Sequence, residues 1–267
     1  MFSLSCLNMG VLNLPFGAMN SAGGLITRKR DDPELTGSYS EPSVNSSSWF
    51  AEIEVSMNGA EALLGPEQCV MLFVDFQAGL AFGVESIARQ TLLSNAVALA
   101  RTSQVFGVPV VVSTSASRVY SGPLFPVLQA ALPGVQPVER RSMNAWEDEA
   151  ARSAILSTGR KRLLVAGLLT EACVSFPVLS ALSGGFEVFV VGDVCGGLTP
   201  AGHDLALIRM QAAGAKLTSW LQVLLEFQRD WTRHETYAGA RQIVEEHGGG
   251  YGIGLTYARD MIQPSAK

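Results

Sequence analysis

Six runs of strand length recur between Cys69 and Gln222, as a set reading as apolar instead of alternating, with helix-patterned stretches between them. A strand with one wet face must alternate apolar and polar side chains, whereas a strand covered on both faces need not. The runs are CVMLFVDF (69–76), VPVVVSTSA (108–116), VQPVER (135–140), RLLVAGLL (162–169), FEVFVVGDV (186–194) and AKLTSWLQ (215–222). The first intervening helix, 84–107, places Leu93, Ala96, Val97 and Ala100 on one face and stops at Gly107. A short helix over 124–132 and helices over 144–159, 173–183 and 200–214 follow. This alternation predicts an α/β fold of three layers, α/β/α, around a doubly wound, mostly parallel sheet of about six strands.

The core of that fold is predicted over 66–225. Residues 1–65 read as an attached extension: no charge occurs before Arg28, and TGSYSEPSVNSSSWF (36–50) has the serine content of a linker. Residues 226–267 read as a helical tail whose VLLEFQRDW and GGGYGIGLTYARDMI carry surplus apolar surface, candidate contacts in a homo-oligomer. A net charge of −5 excludes the basic excess of a nucleic-acid or anionic-membrane binder. No apolar run approaches the roughly 20 residues of a membrane span. Cys6, Cys69, Cys173 and Cys195 form neither a metal motif nor a disulfide framework, so they read as reduced thiols in the cytoplasm.

Parallel sheets bind ligands outside the carboxyl ends of their strands. Asp75 ends the first run, Arg140 the third, and Cys173 follows the fourth, so the three converge on one crevice. A thiol ionises more readily at a helix N-terminus and beside a guanidinium. Pro177, tolerated in a first helical turn, places the helix start close after Cys173, and a thiolate populated near neutral pH is the expectation. Asp75 would accept the thiol proton and return it to a leaving amine. Each residue also has a plainer reading. Cys173 is a small core residue, Asp75 caps a turn, and Arg140 pairs with Glu139 or Asp148 while Arg141 takes its place. Cys195 also follows a strand, without a helix start. Asn144 and Trp146 line the pocket or serve as an N-cap and a packed ring, and Phe76, Gln77 and Phe176 flank the crevice. No G-x-S-x-G, G-x-G-x-x-G or G-x-x-x-x-G-K-[ST] occurs, so serine-hydrolase and common nucleotide motifs are missing.

The segments LFVDFQAGL, VERRSMNAWEDEA, LLVAGLLTEACVSFPVLSAL, FEVFVVGDVCGG and AGAKLTSWLQVLLEFQRDW, in this order, resemble the isochorismatase-like cysteine hydrolases, most of all their YcaC-like branch. The resemblance implies an Asp–basic–Cys triad at Asp75, Arg140 and Cys173, the arginine being typical of that branch. It implies a cis peptide at Leu169–Thr170 and an oxyanion hole made by the Leu169 and Cys173 N–H groups. Metal-bearing relatives place histidine ligands between the Asp and the Cys. His203, His234 and His247 all follow Cys173, so neither metal nor other cofactor is expected. The implied activity is cofactor-free hydrolysis of a small amide-like C–N bond in a small-molecule substrate, through a thioester, by a large ring-like homo-oligomer. The alternatives are a binding or scaffold protein retaining the hydrolase fold and, third, isochorismate-type ether hydrolysis, which the cysteine argues against.

Overall fold

The computed structural model of the chain describes residues 63–262. Nearly all of the expected extension, with Cys6, lies outside the described residues, but its last residues do not. Leu64 is fully buried, with its N–H donated to Glu226 Oε2 at 2.7 Å and its carbonyl accepting from Arg229. The domain therefore includes chain on the amino side of Pro66.

Six strands form one sheet: β1 (Cys69–Val74), β2 (Val110–Ser115), β3 (Val138–Arg140), β4 (Arg162–Leu168), β5 (Glu187–Gly196) and β6 (Lys216–Thr218). Their order is β3-β2-β1-β4-β5-β6, and every pairing is parallel. The chain winds outward from β1 to one edge, then returns to β4 and winds to the other, so the switch point lies between β1 and β4. In β1 the pleat sends Cys69, Met71 and Phe73 into one apolar cluster and Val70, Leu72 and Val74 into another. Both faces are buried, which is why the strand shows no alternation.

The first cluster is covered by α2 (Arg89–Val105), α7 (Trp220–Gln228) and α8 (His234–His247), with the short α1 (Ala78–Ala81) and α3 (Pro126–Ala131) toward its edge. The second is covered by α4 (Glu149–Leu156), α5 (Ser175–Ser183) and α6 (Pro200–Ala212). Three layers result, as the pattern predicts. Leu92, Ala96 and Leu99 face the sheet from α2, while Ala240, Ile243 and Val244 of α8 bury into the same cluster. Ser94 and Arg101 of α2 reach His247 and Glu246 of α8. The start of the tail is thus part of the helical layer, and α7 runs across the expected boundary at 225. Beyond it, α9 (Gly249–Tyr257) exposes Tyr251, Ile253 and Tyr257.

Several elements are shorter than predicted: the helix expected from 84 begins at Arg89, the strand expected from 135 begins at Val138, and two others are stopped by polar residues. The last strand ends at Thr218, since Ser219 caps α7 by accepting from Gln222 N–H at 3.2 Å. The helix expected over 144–159 begins at Glu149, since its N-cap is Asp148, not Asn144. One element is longer. β5 continues to Gly196 through a bulge, its register with β4 passing from Val165↔Val190 to Gly167↔Cys195, so Cys195 lies within the strand.

Candidate active site

β1 ends at Val74, and Asp75 turns the chain with φ of +54°, a left-handed conformation that is uncommon for a residue other than glycine. Its N–H is donated to the Ser113 carbonyl of β2 at 2.8 Å, which holds the turn against the neighbouring strand. Asp75 is completely buried. A carboxylate so placed needs a cation, and β3 supplies it from two strand spacings away, ~10 Å, across which only a long side chain reaches. Arg140, the last residue of β3, extends past β2 and grips Asp75 with both terminal nitrogens, at 2.6 and 2.5 Å. On the way it donates to Ser113 Oγ at 3.0 Å and to the Met143 carbonyl at 3.2 Å. The planar fork matches the carboxylate in a way an ammonium would not. Desolvation works against the Arg140 charge, but the hydrogen bonds and charge of Asp75 outweigh it and raise its pKa. Breaking such a buried pair costs about 3–5 kcal/mol. Arg141, the sequence rival, is exposed and lines the neighbouring cavity without bonding Asp75.

After β4 the backbone turns at a cis peptide between Leu168 and Leu169, one residue earlier than expected. A π-helical turn, Thr170–Val174, then runs straight into α5. The helical segment therefore begins three residues before Cys173, not just after it. Pro177 is consistent with that: it has no N–H to give the preceding turn, and the wide turn ahead of it accommodates its ring. Gly167 lets β4 approach β1 here, because a Cβ on it would sit 2.3 Å from the Val74 carbonyl oxygen. The approach brings Cys173 to the Asp75–Arg140 pair.

Cys173 is half-buried. Burial is the main reason its thiol is pushed up to about 11, and Asp75 adds to it both as a nearby charge and as a hydrogen-bond acceptor. Arg140 and the Leu169 N–H pull the other way and do not prevail. The expected neutral-pH thiolate is thus corrected: Arg140 is largely neutralised by Asp75, and the resting group is a thiol beside a carboxylate. Cys69 and Cys195 are fully buried and both are pushed up to about 12, chiefly by desolvation.

A cavity of about 480 Å³ opens over the sulfur, lined by Ser115, Ala116, Glu139, Arg140, Arg141, Ser142, Met143 and Cys173. None of the five residues expected to flank the crevice is in that lining. Phe76 is a core ring, 5.7 Å from Phe73 and 6.4 Å from Phe125 between centroids. Gln77 spends its amide on Ser115, Ser117 and Gly122, bracing the loop after β2. Asn144 bonds Glu147, Ser180 and the Trp146 N–H, and Trp146 packs edge-on against Phe186. Phe176 lies half-buried on α5. The lining residues that sequence reasoning missed come from strand ends and the loop after β3, and the serines of VVVSTSA were the available signal. Among the described residues no cluster of three or more His, Cys, Asp or Glu is placed to hold a metal, and no helix is long and apolar enough to cross a membrane.

The same constellation can be set against known proteins. A sequence model of the Isochorismatase domain matches residues 69–222. The chain belongs to the isochorismatase family. Within the family it is YcaC-like. It is 38% identical over 169 residues to the probable hydrolase YcaC of Escherichia coli, covering 63% of this chain and 81% of the relative. The crystal structure of that bacterium's YcaC gene product, described as an octameric hydrolase of unknown specificity, superposes with a TM-score of 0.72 at 36% identity, over 75% of this chain and 98% of the other. YcaC from Pseudomonas aeruginosa, solved with hexane-2,5-diol and covalent acrylamide, gives 0.70 at 37% identity, over 73% and 96%. An isochorismatase-family cysteine hydrolase needs a cysteine that substrate can reach, and of the described cysteines only Cys173 meets that condition.

Proposed function

We propose that this isochorismatase-family chain cleaves a small amide-like C–N bond through a thioester on Cys173, without a cofactor. The observation that carries the reading is the Cys173 thiol placed against a buried, arginine-clamped carboxylate at the floor of an open cavity. With a thiol pushed up to about 11, attack must be coupled to loss of the proton. Asp75 is the base. As sulfur bonds to the substrate carbonyl carbon, the thiol proton passes to Asp75, and the carbonyl oxygen takes the negative charge. The Leu169 and Cys173 N–H groups receive that oxyanion, and the Leu169 N–H already bears on the sulfur. Asp75 then gives its proton to the nitrogen as the C–N bond breaks, leaving an amine and a thioester. Water attacks the thioester with Asp75 again as base, and the acid departs as the thiol re-forms. Arg140 holds the Asp75 carboxyl in place between steps through its two hydrogen bonds. Its Nε, buried without a hydrogen-bond partner among the described residues, is a donor held in reserve for the sulfur.

A panel of small primary amides assayed for ammonia release tests this. At least one is expected to turn over, with an acyl adduct trapped on Cys173 by rapid acid quench. Cys173→Ala should lose at least about 10³-fold in kcat/KM. Turnover retained in Cys173→Ala refutes the mechanism. The chain is further proposed to form a homo-oligomer, as its octameric relative does, through the exposed Tyr251, Ile253 and Tyr257 of α9. Sedimentation of the full chain as a monomer at micromolar concentration would count against that.

A further inference from the structure

Four charged side chains border the Cys173 cavity or back it: Asp75, Glu139, Arg140 and Arg141. Three of them are spent. Asp75 and Arg140 neutralise each other. Glu139 accepts from the Ser117 N–H at 3.0 Å, the Ser117 hydroxyl at 2.6 Å and the Thr114 hydroxyl at 2.8 Å. Desolvation pushes its carboxyl up, but those donors outweigh it and hold it below the usual range, so its charge is fixed and turned toward the loop after β2. Arg141 is different. It is exposed on the cavity wall and has no hydrogen bond or ion pair to any described residue. It brings five N–H donors to the lining of a site whose other guanidinium is occupied. Beside it Met143 is 68% exposed and offers an apolar surface for a spacer.

From this inequality we infer that Arg141 is a specificity residue that binds an anionic group, most simply a carboxylate, carried by the substrate of Cys173. The inference rests on Cys173 being the nucleophile. An uncharged substrate would leave the one free guanidinium of the cavity unused, and a cationic one would meet it as repulsion. A carboxylate takes a bidentate pair of bonds from it, holding the rest of the molecule over the sulfur. The free acid of a dicarboxylic monoamide is therefore a better candidate substrate than the corresponding neutral amide.

The test uses two alkylating probes of nearly equal size. Iodoacetate is an anion and iodoacetamide is neutral, and in each the thiolate attacks the CH2 carbon, forming an S–C bond as the C–I bond breaks and iodide leaves. Their rate ratio at Cys173, divided by the same ratio on glutathione, cancels both the thiolate fraction and the intrinsic reactivities. In the full chain this normalised ratio is expected to exceed that of Arg141→Met by about fivefold at low salt, the scale of one solvent-exposed charge contact. Arg141→Lys should keep part of the preference, and Arg141→Glu should fall below Arg141→Met. The preference should shrink in high salt. Equal ratios in wild type and Arg141→Met overturn the proposal. Turnover of succinamate against butyramide adds an independent arm, in which Arg141→Met should raise KM for the anion far more than it lowers kcat. If no amide turns over while the probe ratio still depends on Arg141, the C–N reading fails and anion recognition stands. If both amides turn over alike and the probe ratio is flat, the reverse holds.

Discussion

β4 and β5 lie side by side in the sheet, and each carries a cysteine at or just past its carboxyl end, but the two thiols have different surroundings. β4 stops at Leu168, and the π-helical turn that follows lifts Cys173 clear of the ladder, against Asp75 and under an open cavity. β5 does not stop. Its bulge absorbs extra residues after Val190, and the strand carries Cys195 on to pair opposite Gly167, sealed in the second apolar cluster. Its thiol donates back to the Val191 carbonyl at 3.3 Å, and the Gly167 N–H bears on the sulfur. The difference teaches that position at the carboxyl end of a parallel strand does not make a thiol reactive. What matters is whether the backbone leaves the sheet before the cysteine or after it.

The largest expected effect is in alkylation. With Cys6 replaced by serine, iodoacetamide at pH 8.5 should modify Cys173 at least about 100-fold faster than Cys195 or Cys69, because those two are reached only when the fold opens. The rate at Cys173 should climb about tenfold per pH unit from pH 7 toward 10, since thiolate is the reacting form and the thiol is pushed up to about 11. Peptide mass mapping of quenched samples reads both quantities. A profile already flat above pH 7 would mean a preformed thiolate. Comparable labelling of Cys195 would erase the contrast between the two strand ends.

The parts legible in the sequence were those that one strand or one residue type decides. Apolar runs gave β1, β2, β4 and β5 nearly in place. A carboxylate, a guanidinium and a thiol at the ends of the first, third and fourth strands put Asp75, Arg140 and Cys173 together. What was not legible depends on partners far along the chain. Phe76 and Gln77 follow Asp75 immediately, but the left-handed turn at Asp75 sends one into the core and the other toward Ser115 and Ser117, 38 and 40 residues on. The Asn144 amide is claimed by Ser180. The state of the thiol was missed for the same reason. The helix start and the guanidinium are local signals for a low pKa, whereas burial and Asp75, which win, are properties of the assembled crevice.

The smallest effect lies where the two strand ends are stitched together. Glu171, in the turn after β4, accepts from the Leu198 N–H in the loop after β5 at 2.9 Å. Thr170 meets His203 of α6, its hydroxyl 2.8 Å from Nδ1. Burial lowers the His203 pKa below the ordinary 6.5, against the opposing pull of Asp204 and Glu171. Between its folded and unfolded pKa values the unfolded chain binds more protons, so stability rises with pH through that window. The contribution is complete above about pH 6.5 and is lost as the pH falls through the folded pKa. The loss should be modest, because the Thr170 hydroxyl can turn from donor to acceptor when Nδ1 is protonated, leaving only the cost of a half-buried charge. His247 shifts the same way, by burial and then by Arg101, so His203 accounts for part of the acid sensitivity and not all of it. His203→Asn keeps an acceptor near Thr170 but cannot titrate. Urea unfolding at pH 7 and pH 5 should therefore show a smaller drop in stability in the variant than in wild type. Equal drops would mean that the contact between the two strand ends does not sense protons, and that the acid sensitivity sits with other groups, among them His247 on the opposite face of the sheet.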